Sequence, residues 1–543
     1  MAEAHAGNPG EPAEAADLED AAKPAGPAEP PRAAGPGRTA RPAGPGEPAH
    51  PGGSAEAVNP GGGRRRRASG VRDRVRRHRW FLLVLGIGAL LRALAMLGYR
   101  PALWFPDSYT YIVTVFRPRP DLVRPAGYSM FLKLLEPLHA FGAVTAAQHL
   151  LGLATGVLVY RAARRAPRWV ATLAAVPVLL DAYQIELEHL LVSDTLFMFL
   201  VASAVVLAVR TRPAALTLAG IGLLLAAATL TRTVGQPLIV VLAAWFLLRG
   251  RIKPAGVLLA AALVPVIAYG AWFYATYQRV GLVGANGVFL YARTMSFADC
   301  AEMDPPPDLR ELCDPRPPEQ RPPSQEYIWA QDSPLVRRPG ITFTKETDDL
   351  AARFAMLAIT SQPLDYATST LAELARTFRW DRPIYPDAEI YGYYQFPSEP
   401  PGPPGRYPAQ VGAEYAKLYE QGAIGTEIAE PYAGWLRAYQ SVARLPGSLL
   451  LAILLVPPVA AIARRRAGRH LAVPPAWLVP WSVAIVLLIT PAAAAEFDYR
   501  YVLPAVPVAC LAAALAVGPA EGRRRERRRD ERGRPGRGER VWR

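Results

Sequence analysis

The stretch Trp80-Phe-Leu-Leu-Val-Leu-Gly-Ile-Gly-Ala-Leu-Leu-Arg92-Ala-Leu-Ala-Met-Leu97 carries a single charged residue, Arg92, and follows nine arginines between Arg64 and Arg79. A run of this length, closed by charge on one side, has the dimensions of a helix crossing a hydrocarbon core of about 30 Å. Arginines crowd the cytoplasmic flank of such helices, so the run reads as a first membrane span that enters from the cytoplasm.

The rest of the 543 residues repeats the pattern. The chain is 51% hydrophobic and 20% charged, and its apolar residues fall in blocks separated by charged gaps rather than spread as a soluble core requires. Ten spans are expected: Trp80–Leu97, Phe141–Tyr160, Trp169–Leu180, Thr195–Val209, Ala214–Leu230, Val234–Leu248, Pro254–Tyr274, Leu449–Ala463, Ala476–Thr490 and Tyr501–Val517. The third is short and contains Pro177. Even-numbered gaps are basic, as in Arg161–Arg168, Arg210–Arg212, Arg249–Lys253 and Arg464–His470. Odd-numbered gaps hold acids and aromatics instead, and the alternation places both termini in the cytoplasm of a plasma-membrane protein.

The division follows: a disordered basic tail over 1–79, spans one to seven over 80–275, and an external domain of mixed structure over 276–446. Spans eight to ten occupy 447–518 and a second basic tail 519–543. The first 63 residues are Ala, Pro, Gly and Glu with few large apolar side chains, too few to offset the entropy of ordering. The net charge of +15 also suits nucleic acid, but basic runs beside spans read better as anchors on anionic lipid. No nucleic-acid partner is expected. Within the external loop, Thr347–Ile359 and Ala367–Phe378 show helical spacing. Cys300 and Cys313 in that loop would close a small ring if it faces an oxidising compartment. Cys510, inside the last block, is a small hydrophobe.

Polar groups beside or within spans are candidates for function, because burying them otherwise costs free energy. Four groups fall on the external side. In Phe105-Pro-Asp107-Ser-Tyr109-Thr-Tyr111, a carboxylate among interfacial tyrosines is either a proton acceptor or a solvated loop acid. Arg124-Pro-Ala-Gly-Tyr128 precedes an amphipathic segment, Met130–Leu135, suited to the membrane surface. Glu188, His189, Ser193 and Asp194 come before the fourth span, where Ser193 or Asp194 can cap the helix. Arg232 and Arg500 oppose the positive-inside trend, and a guanidinium held there needs an anion. That anion is either an internal acid (Glu496, Asp498 or Asp194) or a lipid phosphate. Arg92 serves the same pocket or a neighbouring carboxylate.

Taken in order, Pro106-Asp107-Ser-Tyr109-Thr-Tyr111, Arg124 to Tyr128, Ser193 to Phe197, and Asp498-Tyr-Arg500-Tyr501-Val-Leu-Pro504 resemble the GT-C superfamily of membrane glycosyltransferases. That superfamily includes the protein O-mannosyltransferases and lipid A aminoarabinose transferases. The resemblance covers roughly residues 80 to 517 and implies an all-α polytopic fold. It also implies an inverting hexosyl- or pentosyltransferase that moves sugar from a polyprenyl-phosphate donor to an extracytoplasmic acceptor. Asp107 matches the external catalytic aspartate, with Glu188 and Asp194 as further catalytic carboxylates. Tyr109, Tyr111, Arg124, Tyr128, Arg232, Asp498, Arg500 and Tyr501 would bind substrate, Arg500 and Arg232 holding the leaving phosphate. Ser108 stands where the family often has a second acid, and Ser193-Asp194-Thr where many relatives have Ser-Glu-Pro. No cofactor is expected; a divalent metal is compatible with the carboxylates but not demanded by their spacing. A lipid-substrate transporter or flippase, and a non-catalytic membrane scaffold, are the competing readings.

Overall fold

The computed structural model describes residues 62–210, 213–401, 407–468 and 474–518. The disorder expected before residue 62, the basic tail 519–543, Arg212 and His470 lie outside the described residues. The described residues from Ala68 onward form one compact unit.

Helices dominate. In chain order they begin α1 (Gly62–Gly98), α2 (Pro106–Phe116), α3 (Gly127–Leu135), α4 (Phe141–Ala163), α5 (Arg168–Leu180), α6 (Ala182–His189), α7 (Asp194–Ala208), α8 (Ala215–Thr231), α9 (Gln236–Leu247) and α10 (Ile252–Tyr277). After the large loop come Gly447–Arg466, Leu478–Ala494, and Tyr499–Val502 leading into Val506–Val517. A helix thus stands at each of the ten expected blocks. The first begins at Gly62, so the arginine-rich residues expected in a disordered tail are helical as far as they are described. Arginine is a good helix former, and here it extends a helix already nucleated by the span.

Among the described residues, five helices are long and apolar enough to cross a bilayer: Val75–Gly98, Phe141–Ala163, Ile252–Tyr277, Gly447–Arg466 and Tyr499–Val517. α5 and α6 together make a sixth if a 48° bend is allowed. The bend falls at Asp181, whose carboxylate accepts the N–H groups of Tyr183 and Gln184 and so starts a new helix. Four more apolar helices have only 10–17 residues; at 1.5 Å per residue they fall short of a hydrocarbon core of about 30 Å. Apolar side chains such as Leu216, Ile252, Val264 and Val459 are exposed along these helices, while Arg92, Glu188 and Asp194 are buried. That inversion fits a solvent of lipid. The chain is a multi-pass membrane protein.

Among the described residues of 276–446, the regular structure is helical where a mixture was expected, apart from the two-residue strand Glu427–Ile428; turns and coil make up the rest. Its prolines interrupt ladders but start short helices. The two helices read from spacing appear as Lys345–Ser361 and Pro363–Arg376, the first capped by Thr344 on the N–H of Thr347. Tyr291, Phe297, Leu312, Tyr327 and Phe354 form a local core, tied at its edge by the Cys300–Cys313 disulfide. Later segments fold back on the start of the chain. Glu427–Ile428 pairs antiparallel with Tyr99–Arg100, and the helix Tyr407–Glu420 lies on α2. A Cβ at Gly412 would stand 2.4 Å from that of Tyr109, so this crossing needs glycine.

Candidate active site

α2 begins with Pro106 in its first turn, where the missing N–H costs nothing. Ser108 accepts the N–H of Phe105 at 3.0 Å and donates to the Leu191 carbonyl at 2.9 Å. Ser108 therefore anchors the turn. Its neighbour Asp107 is left at the helix start, where negative charge is favoured.

Asp107 sits between two guanidiniums. Arg124 Nη2 donates to Oδ1 at 2.5 Å and Arg500 Nη1 to Oδ2 at 3.1 Å. Arg124 is aimed by a turn in which Asp121 accepts the N–H groups of Val123 and Arg124, each at 2.8 Å. Burial alone would raise the Asp107 carboxyl, but Arg124 and Arg500 outweigh it and hold it well below the usual carboxylate range. Arg500 also reaches Asp498 Oδ2 at 3.1 Å. Asp498 caps the helix Tyr499–Val502 and accepts the Tyr394 hydroxyl at 2.7 Å. The Arg500 guanidinium lies 4.4 Å from the Phe105 ring centre and 5.2 Å from that of Tyr501.

Arg232 and Asp194 complete the cluster. α7 runs away from the site and α8 returns against it, which brings the end of α8 beside the start of α7. There Arg232 donates to Asp194 Oδ1 and covers the other side of Tyr501, 4.9 Å from its ring centre. Neither Ser193 nor Asp194 caps α7; Asp194 instead turns inward, with Oδ2 buried and unbonded. Ser193 accepts the Tyr111 hydroxyl at 3.1 Å, and burial with Asp107 nearby pushes that phenol up to about 12. Tyr128 packs edge-on to Tyr111 and donates to Gln148.

Two candidates lie elsewhere. Tyr109 points to the other side of α2, stacked on Trp104 under the helix Tyr407–Glu420. Glu188 belongs to a separate buried network. Arg92 grips it with Nε and Nη2, both at 2.7 Å; His149 and Gln184 add bonds of 3.0 and 3.1 Å. Arg92 therefore serves a neighbouring carboxylate. His189 continues that network, from His149 to the Tyr99 carbonyl. Gln148 and His149, polar in the middle of an apolar span, carried a signal for this network that the reading of loops passed over. Tyr394 and Phe105 are also new to the cluster. Tyr394 comes from a distant loop with no motif to mark it.

The cluster thus holds three carboxylates and three arginines at one end of the apolar helices: the chain Arg124–Asp107–Arg500–Asp498 and, beside it, the pair Arg232–Asp194. Among the described residues, no group of three or more His, Cys, Asp or Glu has the geometry of a metal site. The arrangement can bind an anion by exchanging it for an internal carboxylate, and can offer the freed carboxylate as a base.

Fold and site define a multi-pass membrane protein with a buried acid–arginine cluster between its helices and its large loop. No family model matches the chain, and no curated protein does. Among solved structures it is similar to the S. cerevisiae protein O-mannosyltransferase Pmt1–Pmt2 complex bound to the sugar donor. That match has 20% identity, covers 40% of this chain and 36% of the other, and has a TM-score of 0.31; the chain thus spans about a third of that relative. It is also similar to ArnT from Cupriavidus metallidurans, in the apo state and bound to undecaprenyl phosphate. Both matches have 14% identity and cover 81% of this chain, with 77% and 78% of the other chains and TM-scores of 0.31 and 0.30.

Proposed function

We propose that the chain is a GT-C-type glycosyltransferase that moves sugar from a polyprenyl-phosphate donor to an extracytoplasmic acceptor, with inversion. The observation that carries this reading is Asp107 held between Arg124 and Arg500, with Arg232 and its partner Asp194 in the same cluster.

The resting ion pairs explain how a strongly acidic carboxyl becomes a base. Paired with two guanidiniums, Asp107 has little affinity for a proton. The phosphodiester of a bound donor competes for Arg500 and Arg232. As it takes them, Asp107 loses stabilising charge and its proton affinity rises. The acceptor hydroxyl then attacks the anomeric carbon, its proton passes to Asp107, and the bond to the phosphate oxygen breaks. The electron pair leaves on the lipid phosphate, stabilised by Arg500 and Arg232. Lipid phosphate is already a tolerable leaving group, so orientation and charge stabilisation supply most of the rate.

The test is transfer from a polyprenyl-phosphate sugar by purified protein. Asp107→Asn is expected to bind donor normally and to transfer about 10²–10⁴-fold more slowly, the usual contribution of a positioned base. Arg500→Gln is expected to weaken donor binding as well. An Asp107→Asn enzyme that works at the normal rate removes the base assignment.

A further inference from the structure

The segment after Asp498 serves two places. Arg500 faces Asp107, whereas its neighbour Tyr499 lines a groove on another side, together with Tyr183 and Trp380. It is a shallow groove, open to solvent along one side.

Its charge is lopsided. Arg376, Arg379, Arg382 and Arg444 border it, against the carboxylates of Asp181 and Asp381 alone. Asp381 is bound by Arg379 at 2.8 Å, and Arg376 is held by Glu373 at 3.0 Å. Asp181 is occupied by the N–H groups of Tyr183, Gln184 and Leu445. Arg382 and Arg444 have no carboxylate partner among the described residues. Arg444 makes one hydrogen bond, to the Trp380 carbonyl at 3.2 Å. Arg382 is wedged between two tyrosines, 3.6 Å from the ring centre of Tyr183 and 4.0 Å from that of Tyr499, and its buried Nε has no acceptor. A stacked guanidinium with unused donors is preorganised for an oxyanion, and a buried N–H without a partner is costly.

The floor of the groove is apolar. Leu450, Val502, Leu503 and Val506 line it, and they come from the first turns of the membrane helices Gly447–Arg466 and Tyr499–Val517. A cationic rim beside the first turns of two membrane helices matches an amphiphile, with its head on the arginines. The geometry points to a binding site for the phosphate head group of a membrane lipid, with the phosphate on Arg382 and Arg444 and the chain leaving past the part-exposed Val502 and Leu503. The site depends on no assumption about chemistry at Asp107. Two sources supply this chemistry: a polyprenyl phosphate and an anionic glycerophospholipid.

The test uses the full chain in phosphatidylcholine nanodiscs, with retained lipid counted by native mass spectrometry. Polyprenyl monophosphate and phosphatidylglycerol are supplied in separate arms, and inorganic phosphate in a third. Arg382→Gln/Arg444→Gln is expected to retain the bound lipid about tenfold less well, while Arg500→Gln leaves retention of phosphatidylglycerol unchanged. Arg444→Gln alone, which gives up one backbone contact, is expected to weaken retention in the same direction and carries the test if the double variant misfolds. Loss confined to the polyprenyl arm identifies a polyprenyl lipid, and loss in the phosphatidylglycerol arm a bulk anionic lipid. Unchanged retention of both lipids in every groove variant overturns the proposal, as does binding of inorganic phosphate alone.

Discussion

Arg232 and Arg500 stand where lysine and arginine are rare in membrane proteins, and each is held by acids: Asp194 for the first, Asp107 and Asp498 for the second. Their position against the trend made them legible before any geometry was known. Glu188 was legible only as an acid ahead of the fourth span, and its partners hold it in a buried network apart from the cluster. Replacing Glu188 with Gln leaves the Arg92 guanidinium inside the helices without its anion. A loss of about 3–5 kcal/mol is expected for breaking such a pair, seen as a lower melting temperature in detergent, with the turnover of the folded fraction kept. A Glu188→Gln protein that melts normally but transfers no sugar would return Glu188 to the chemistry. Tyr109 shows why spacing has to be read with care. Residues 107 and 111 are one helical turn apart and share a face, whereas 109 projects elsewhere.

At the scale of elements, the apolar blocks located every long helix because hydropathy needs no knowledge of partners. They did not show that four helices are short, nor that the third block continues through a bend into α6, since both depend on packing. The loop's attachments were hidden for the same reason. Glu496, just after the helix Leu478–Ala494, accepts the N–H groups of Ser324 and Gln325 and the Tyr385 hydroxyl. Burial pushes its carboxyl from 4.5 to about 7, Glu373 adding to the rise and the Ser324 N–H opposing it. A carboxyl raised on folding adds stability that is complete below its unfolded value and lost as pH climbs through the folded one. The docking of Ser324 and Gln325 is therefore expected to weaken between pH 4.5 and about 7. Amide hydrogen exchange in the peptide containing Ser324, corrected for intrinsic rates, should accelerate over that window. Glu496→Gln should flatten the profile, and an unchanged profile in that variant would assign the effect to another group.

For the whole molecule, everything proposed at the cluster requires that α2, Arg124, Arg500 and the large loop share the extracytoplasmic side. The structure joins Arg124, Asp107 and Arg500 by ion pairs and sets the Arg232–Asp194 pair beside them across Tyr501, so they share one end of the helices; the arginine-rich gaps make the outside the expected side for that end. The cysteines make a direct check simple. Cys300 and Cys313 are joined to each other and Cys510 is buried, leaving a low background for thiol labelling. Asp332 is exposed in the large loop, and Arg466 is exposed at the far end of the helix Gly447–Arg466. In intact cells a membrane-impermeant maleimide is expected to label Asp332→Cys strongly and Arg466→Cys only after permeabilisation. The opposite pattern would put the cluster in the cytoplasm, beside nucleotide-sugar donors rather than the outer pool of lipid-linked ones, and would remove the chemical reason for the phosphate-holding arginines to lie at the membrane surface on that side. Equal labelling of both before permeabilisation would mean that the helix between them does not cross, and that the alternation of basic gaps counts one span too many.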